Sequence, residues 1–593
     1  MKKIFAIIIP AALLCFASCD IRVESDFLNK TPESTVSPDS YFKTESDLKL
    51  FSNAFYSQFS DDFYEAQSDH YIKLNLSDEL RGGNVRKVPQ SGGGWSWTML
   101  RRINEMLGNM DKCPDEKVRA EYTALAKFFR AYFYFEKVKR FGDVPWVGKA
   151  YSSEAEELYA PRDSREVIMG HMLEDIDEAI AALPASKSLY RVNKYAALAL
   201  KAQFCLYEGT YRKYHGLTLD GRTAEAYLEL AAKAAEEIMA GPYKLKNDYL
   251  MLFAEENADT DEMILAMQFD RTVQRKNNTC AFALVSTQGA PGLTKKFVDS
   301  FLMKDGSRFT DRKGWETMEY IEEMTDRDPR LACCTRTPGY KRIGGTEVLA
   351  PDFGSSVTGF QIVKFVMDMN LPEVNRVEMS YNDLPIYRLG EIYLIYAEAK
   401  AELGTISQTD LDMSVNKLRQ RVGMPDMNLD EALASPDEYL LSNEYGYSNP
   451  LLHNAANVGI ILEIRRERSV ELAQEGKRWD DLMRWKEGKC IEQAMYGMYF
   501  PGPGKYDLTG DGKTDIWLYT GTKPSDKEHA LIEIGVKTGV ILSEGDHGYV
   551  DNQSGVAHVF NENRDYLYPI PTEERQLNPK LAQNPGWDDG LKF

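Results

Sequence analysis

The chain is predicted to be mostly α-helical: a tetratricopeptide-like helical-repeat scaffold of four helix pairs, with loop-rich irregular insertions and few short strands. Three observations predict it. Amphipathic helical runs gather in two blocks. Within them, small and large apolar residues recur at helical spacing. Between and after the blocks that periodicity gives way to Gly, Pro, Asn and Thr clusters.

The N-terminus reads as an export signal. Met1-Lys2-Lys3 is a positive start and Ile4 to Phe16 an apolar run, too short to span a bilayer, which takes about 20 residues. It ends in Phe16-Ala17-Ser18-Cys19, small residues before a cysteine, which resembles a bacterial lipobox with Cys19 as the lipidated residue; Phe16 departs from the usual Leu. Ordinary cleavage without lipid is the alternative. Residues 1–18 are thus expected to be a signal peptide and 19–40 a lipidated tether, polar and proline-punctuated through Thr31–Pro38. Residues 41–593 are expected to form a single body.

The first helical block, about 117–240, holds Lys117–Phe141, Arg165–Leu183, Val192–Tyr214 and Thr223–Ala240. Ala120, Ala124 and Ala131 alternate with Leu125, Phe128, Tyr132 and Phe135, and Ala197 and Ala202 with Leu198 and Leu206. Small residues let helices approach while aromatics fill the gaps between layers. An insertion of about 243–385 follows, with short apolar stretches such as Glu262–Met267. The second block, about 389–486, holds Leu389–Leu403, Gln408–Arg421, Ile460–Gln474 and a short Arg478–Lys486, with Leu394, Ala397, Ala399 and Ala401 set around Tyr393 and Tyr396. An irregular C-terminal lobe fills about 490–593. No strict 34-residue consensus repeats. Long excursions from a rigid frame are where binding surfaces usually lie.

Composition narrows the function. Hydrophobic content of 43% and charged content of 27% are globular values that supply a large core. A formal charge of −20 disfavours nucleic acid and anionic membrane surfaces as partners of the body. Apart from Cys15 and Cys19 in the signal region, the cysteines (Cys113, Cys205, Cys280, Cys333, Cys334 and Cys490) have no metal-type spacing. No H-E-x-x-H, G-x-S-x-G or phosphate loop is present, so no catalytic residue is assigned and the chain is not expected to be an enzyme.

Runs along the whole chain resemble the SusD/RagB family of outer-membrane lipoproteins. They are Phe27-Leu-Asn-Lys-Thr-Pro-Glu33, Phe128–Phe135, Arg140-Phe-Gly-Asp-Val-Pro-Trp146, Arg388–Lys400, Glu463–Arg468, Glu471–Trp479, Tyr568-Pro-Ile-Pro571 and Asn584-Pro-Gly-Trp587. The resemblance implies a four-tetratricopeptide scaffold anchored by lipid to the outer membrane of a Bacteroidetes-type bacterium and facing the cell exterior. It also implies a partner, a SusC-like TonB-dependent transporter barrel, and a captured nutrient, oligosaccharide most often and peptide in some members. A protein-interaction scaffold with no small ligand and a glycoside hydrolase are the other readings. Carboxylate separations that would define a hydrolase are three-dimensional quantities.

Sugars are gripped by aromatic faces and by planar carboxylate, amide or guanidinium groups. Asp78, Glu79, Arg81, Asn84 and Trp95 supply both kinds of group on a glycine-rich stretch, and the resemblance places this stretch beside the family's ligand pocket. Trp97 is expected to pack on the following helix. Trp315, Tyr340 and Phe360 are further aromatic candidates from the insertion. Asp507, Thr509, Asp511, Lys513 and Asp515 fall at alternate positions of an EF-hand-like loop with Gly512 at its turn. Leu518 stands where such a loop ends in Glu, and Ile516–Tyr519 reads as a strand, so structural calcium and a plain acidic turn both remain open. Arg465, Arg466, Glu467, Arg468, Glu471 and Arg478 form a charged cluster expected to pair at i,i+3 and i,i+4 and stitch the last repeat.

Overall fold

The computed structural model describes residues 41–593 apart from 84 and 153. The expected signal peptide, the tether and Cys19 lie outside the described residues. The first block comprises α1 (Glu45–Ser52), α2 (Thr98–Leu107), α3 (Glu116–Phe141), α4 (Arg165–Ala182), α5 (Lys194–His215) and α6 (Ala224–Met239). After α7 (Lys295–Ser300) in the insertion, the second block comprises α8 (Leu389–Glu402), α9 (Gln408–Met413), α10 (Val415–Arg421), α11 (Val458–Glu471) and α12 (Arg478–Trp485).

The four longest helices start where the sequence provides a cap. Asp115, Ser164, Asn193 and Thr223 accept the first-turn N–H groups of α3, α4, α5 and α6. α3 packs against α4 and α5 against α6, and α8 lies against α6 and α11, so the two blocks are in contact. The expected Gln408–Arg421 helix is broken at Ser414, whose hydroxyl donates to the Asp410 carbonyl at 2.5 Å, leaving α9 and α10 as separate segments.

Strands are short and local. β1 (Tyr71–Ile72), β2 (Met263–Met267), β3 (Gly292–Leu293), β4 (Leu384–Arg388), β5 (Tyr499–Phe500), β6 (Gly504–Tyr506), β7 (Ile516–Tyr519), β8 (Ala530–Glu533) and β9 (Gly548–Tyr549) form small sheets. The pairs β1–β3, β2–β4 and β5–β9 are antiparallel, and β6–β7–β8 is a three-stranded sheet. The described residues form a mostly helical frame decorated by irregular lobes, as the sequence predicts.

The Arg/Glu cluster of α11 is structural, but its pairing differs from the expectation. Only Arg466–Glu463 pairs within the helix; the rest reach across elements. Glu471 accepts from Arg388 at 2.8 Å, from Arg421 at 2.5 Å and from Arg330 at 3.3 Å. Arg465 faces Glu487 and Glu402, Arg468 binds Asp481, and Arg478 grips Asp69 with two bonds of 2.9 Å. The helix is buried almost all round, so its charges have no solvent face on which to pair with one another. Burial alone would raise the Glu471 pKa, but Arg421, Arg388 and Arg330 hold the carboxyl well below the usual range.

Removing one partner of a buried network strands the others. Glu471→Ala is therefore expected to lower the unfolding free energy by about 3–5 kcal/mol, read from urea titrations at pH 7. The stability tied to ionised Glu471 is fully present above the ordinary carboxylate value of 4.5 and is lost as pH falls toward the depressed native one. The gap between wild type and variant should accordingly narrow in acid. Near-equal stabilities at pH 7 would refute the central role of Glu471.

Candidate functional site

The structure disperses the residues that sequence reasoning grouped. Asp78 is exposed in a single helical turn and pairs with exposed Arg81 at 3.5 Å. Glu79 accepts from the Tyr568 hydroxyl at 2.9 Å, which ties it to the C-terminal lobe. Asn84 lies outside the described residues. Trp95 is corrected from platform to core: it is 4% exposed, with its ring 4.8 Å from Phe141 and 5.4 Å from Trp97. The glycine run that suggested an exposed loop does the reverse. Gly92, Gly93 and Gly94 all take positive φ and fold the chain back against α3, where Arg140 Nε donates to the Gly93 carbonyl at 2.8 Å and Lys137 to that of Gly94. Trp97 packs on the Phe133 and Tyr134 rings of α3 rather than on α2 alone. Phe360 is fully buried and is likewise corrected to core. Tyr340 is half-buried beside Arg336.

Trp315 is the candidate that finds company. It sits half-buried in a helical turn, Trp315–Thr317, with its ring 5.2 Å from Tyr439. The Tyr549 hydroxyl donates to the Glu316 carbonyl at 2.9 Å, joining β9 to this turn. Tyr549 is stacked on Tyr496 at 5.0 Å and meets Tyr499 edge-on at 5.6 Å. All three tyrosines are half-buried.

The strip continues into a cleft of about 360 Å³. One wall is Glu319–Glu322, directly after the Trp315 turn; the other is Tyr499, Phe500 and Lys505–Leu508 of β5 and β6. Tyr499 belongs to both the strip and the cleft. Tyr506 packs on Phe500 at 5.0 Å and donates to the Gly502 carbonyl at 2.5 Å.

Local sequence fixes these walls. In the β5–β9 pair Tyr499 lies opposite Tyr549, so the register aligns the rings. Gly497 is required where the chain passes the insertion: a Cβ there would meet the Thr358 carbonyl oxygen at 2.0 Å. Beneath the strip, Lys295 of α7 lies 5.8 Å from both the Trp315 and the Tyr549 ring. Its ammonium is held by Asp299 at 2.9 Å and Glu323 at 2.7 Å, and its N–H donates to the Tyr496 carbonyl at 2.7 Å. Burial and the neighbouring Glu323 push the Asp299 carboxyl up to about 7, against the pull of Lys295. Burial pushes the Tyr549 hydroxyl up to about 12. Half-exposed aromatic faces beside carboxylates and hydroxyls suit a sugar chain, whose C–H faces stack and whose hydroxyls bond.

Two other hollows differ in kind. One of about 210 Å³ between α3, α5, α8 and α12 is lined by charges already paired with each other, as in Lys139–Asp480 at 2.7 Å and Lys477–Glu391 at 3.2 Å. Another of about 400 Å³ has mainly apolar walls, including Trp97, Leu158 and Leu577. The second also carries exposed Tyr159 and half-buried Trp97 and Tyr151 beside Arg101 and Glu157, but its rings are not aligned by a strand pair as those of the strip are.

The 507–515 loop borders the cleft. Asp507 accepts the Gly510 and Gly512 N–H groups at 2.6 and 2.7 Å, Asp515 accepts those of Leu508 and Thr509, and Lys513 pairs with Asp511 at 2.7 Å. Thr509 donates to Asp507 at 3.3 Å. Among the described residues no group of three or more His, Cys, Asp or Glu side chains is placed to hold a metal ion. The six described cysteines are free; five are buried and Cys333 half-buried.

Sequence reasoning found Trp315 but missed Lys295, Tyr496, Tyr499, Tyr506 and Tyr549. The signal was present in Tyr496-Gly-Met-Tyr-Phe500, an aromatic run broken by glycine in the lobe where loops were expected to carry binding.

The described residues form a helical-repeat frame of the tetratricopeptide-like class with an aromatic cleft between its irregular lobes. The chain belongs to the SusD family: the model described as "SusD family" matches residues 261–587, and one described as "Starch-binding associating with outer membrane" matches 39–216. Members of this family are binding proteins, not enzymes, and its description supports carbohydrate binding in nutrient uptake at the outer membrane. No helix of the described residues is long and apolar enough to cross a membrane. SusD-like protein P38 of Formosa agariphila is 23% identical over 521 residues, covering 83% of this chain and 93% of the relative. A SusD-like protein of Bacteroides fragilis superposes with a TM-score of 0.66 at 22% identity, covering 94% of this chain and all of its own. A SusD-like carbohydrate binding protein from the same species gives 0.64 at 21%, covering 91% and 99%. These structures share the fold.

The corrected burial is directly testable. Trp95→Ala is expected to cost about 3–5 kcal/mol of stability, as for a large core truncation. Trp315→Ala, at a half-buried position, should cost less than about 2 kcal/mol. Denaturant titration of both variants decides; the reverse order would return Trp95 to the surface.

Proposed function

We propose that the protein is a cell-surface lipoprotein, anchored through Cys19, that binds oligosaccharides along the Trp315–Tyr549–Tyr499 strip and delivers them to a SusC-like TonB-dependent transporter. The strip carries this reading. Its rings come from three segments held in register by β5–β9 pairing and by the Tyr549–Glu316 hydrogen bond, so it is preorganised and not formed by chance exposure of one side chain. Glu319, Glu322 and Asp507 along the cleft offer acceptors for sugar hydroxyls. Family membership supports the carbohydrate class and the outer-membrane setting. A calcium ion in the 507–515 loop forms no part of this reading.

Calorimetric titration of the mature protein against a panel of neutral oligosaccharides tests it. Saturable binding is expected, weakened about 5–30-fold in Trp315→Ala and in Tyr549→Ala, the equivalent of about 1–2 kcal/mol for one lost ring face. Trp97→Ala should leave affinity unchanged. Binding of a peptide pool in place of every glycan would overturn the reading. For the anchor, Cys19→Ser is expected to move the protein from the membrane fraction to the soluble one.

A further inference from the structure

The hollow of about 210 Å³ between α3, α5, α8 and α12 holds polar groups that the aromatic strip does not use. It shares no wall residue with the cleft, and it lies where the first helical block meets the second. Ser60 and Glu136 of its wall are exposed, so it opens to solvent. Phe59, Phe63 and Phe135 line it, and the Phe59 ring meets that of Tyr132 edge-on at 4.9 Å. Tyr132, Tyr207 and Tyr387 bring three phenols to the same space.

These three hydroxyls hydrogen-bond to no other protein group among the described residues. Tyr387 is 2% exposed, and its buried oxygen has no partner. Burial pushes that hydroxyl well above its ordinary range, and Tyr132, Glu391 and Glu136, all on the wall of the hollow, add to the rise. The hydroxyl therefore lies toward the hollow and stays protonated at neutral pH. A buried donor left unmatched is costly. The charges of the wall, by contrast, are matched. Lys139 sits between Asp480 at 2.7 Å and Glu136 at 2.8 Å, and Lys477 pairs with Glu391 at 3.2 Å. Asp481 holds Arg468 at 2.8 Å and Arg484 at 2.9 Å, and Glu475 is clasped by Arg388 and Lys364 at 2.7 Å each. Arg468 keeps one buried Nη1 with no acceptor, a donor whose charge is already spent on Asp481. Phenols and rings left over among neutralised charges suit a neutral polyhydroxy ligand, whose hydroxyls meet the phenols and whose C–H face meets the rings.

We propose that this hollow is a second ligand site, separate from the aromatic strip, that takes one neutral sugar ring, with Tyr132, Tyr207 and Tyr387 supplying its hydroxyl contacts and Phe59 and Phe63 its apolar wall. It stands independently of the oligosaccharide reading of the strip. Size sets the limit. Pockets for drug-sized ligands run to about 300–1,000 Å³, so a hollow of about 210 Å³ holds a single ring and not a chain. Its walls come from α3 and α5 on one side and from α8 and α12 on the other, so an occupant touches both helical blocks. Binding that the folded state alone offers raises its stability by mass action.

The test titrates the mature protein with glucose, galactose, mannose, N-acetylglucosamine and glucuronate, read by saturation-transfer NMR and by the thermal unfolding midpoint. At least one neutral sugar is expected to bind saturably and to raise the midpoint. Trp315→Ala and Tyr549→Ala should leave that binding unchanged, whereas Tyr132→Phe and Tyr387→Phe should each weaken it about 3–10-fold, the loss of one neutral hydrogen bond. Neither hydroxyl bonds another protein group, so its removal strands nothing and both variants keep the fold. No binding by any neutral sugar overturns the site and leaves solvent as the occupant of the hollow. Binding that both phenylalanine variants leave unchanged overturns the assignment to this hollow, and its loss in Trp315→Ala moves the sugar to the strip. Tighter binding of glucuronate than of every neutral sugar overturns the neutral class. The oligosaccharide titration of the strip is scored separately: its failure beside monosaccharide binding here sinks the strip alone.

Discussion

The architecture depends on a buried ionic junction at the end of α11. Glu471 receives guanidinium groups from three places in the chain: Arg388 at the start of α8, Arg421 at the end of α10 and Arg330 in the insertion. Arg388 also clasps Glu475 with two bonds of 2.7 Å and reaches Glu262 beside β2 at 3.1 Å. Charges this deep cost several kcal/mol each to desolvate, and only near-complete pairing offsets that cost. A slip of one helix would leave an arginine or glutamate unpaired in a dry interior. Apolar side chains tolerate small shifts; this junction does not, so it fixes how the second helical block meets the insertion.

The aromatic strip inherits that fixity at one remove. Its loops are short of regular structure, yet each is tied to something rigid. The Tyr496 carbonyl is held by the backbone of α7, β5 and β9 hold each other, and Lys295 locks α7 to the Tyr320–Met324 turn through Asp299 and Glu323. The same lysine lies under two of the rings, which places a structural cation at the base of the site without offering it to a ligand. Irregular backbone supplies the shape, and buried polar pairs supply the precision.

Much of the frame was legible in the sequence because helices in layered repeats announce themselves through 3.6-residue periodicity and caps. The helices expected from Lys117 and Arg165 appear as Glu116–Phe141 and Arg165–Ala182. The break at Ser414 was not legible, since a serine back-bonding to its own helix leaves the apolar pattern intact. The charged cluster on α11 was read as structural, but its partners were misjudged: spacing within one helix says nothing about an arginine 83 residues away. The site was harder still. Three glycines before Trp95 looked like freedom and proved to be the means of folding the tryptophan inward against α3. Trp315 was found by type alone, and its neighbours Tyr496, Tyr499 and Tyr549 become neighbours only through a strand register and one side-chain hydrogen bond. Residue type suggests what could bind a sugar; only the tertiary path decides which of those residues meet.

The two walls of the cleft come from segments on either side of the whole second helical block: Trp315–Glu322 precedes it and Tyr496–Tyr549 follows it. No contiguous stretch of the chain contains the site. On the proposed function, ligand capture requires the C-terminal lobe to be folded and docked on the insertion, so sugar binding would double as a report that the entire body has been assembled.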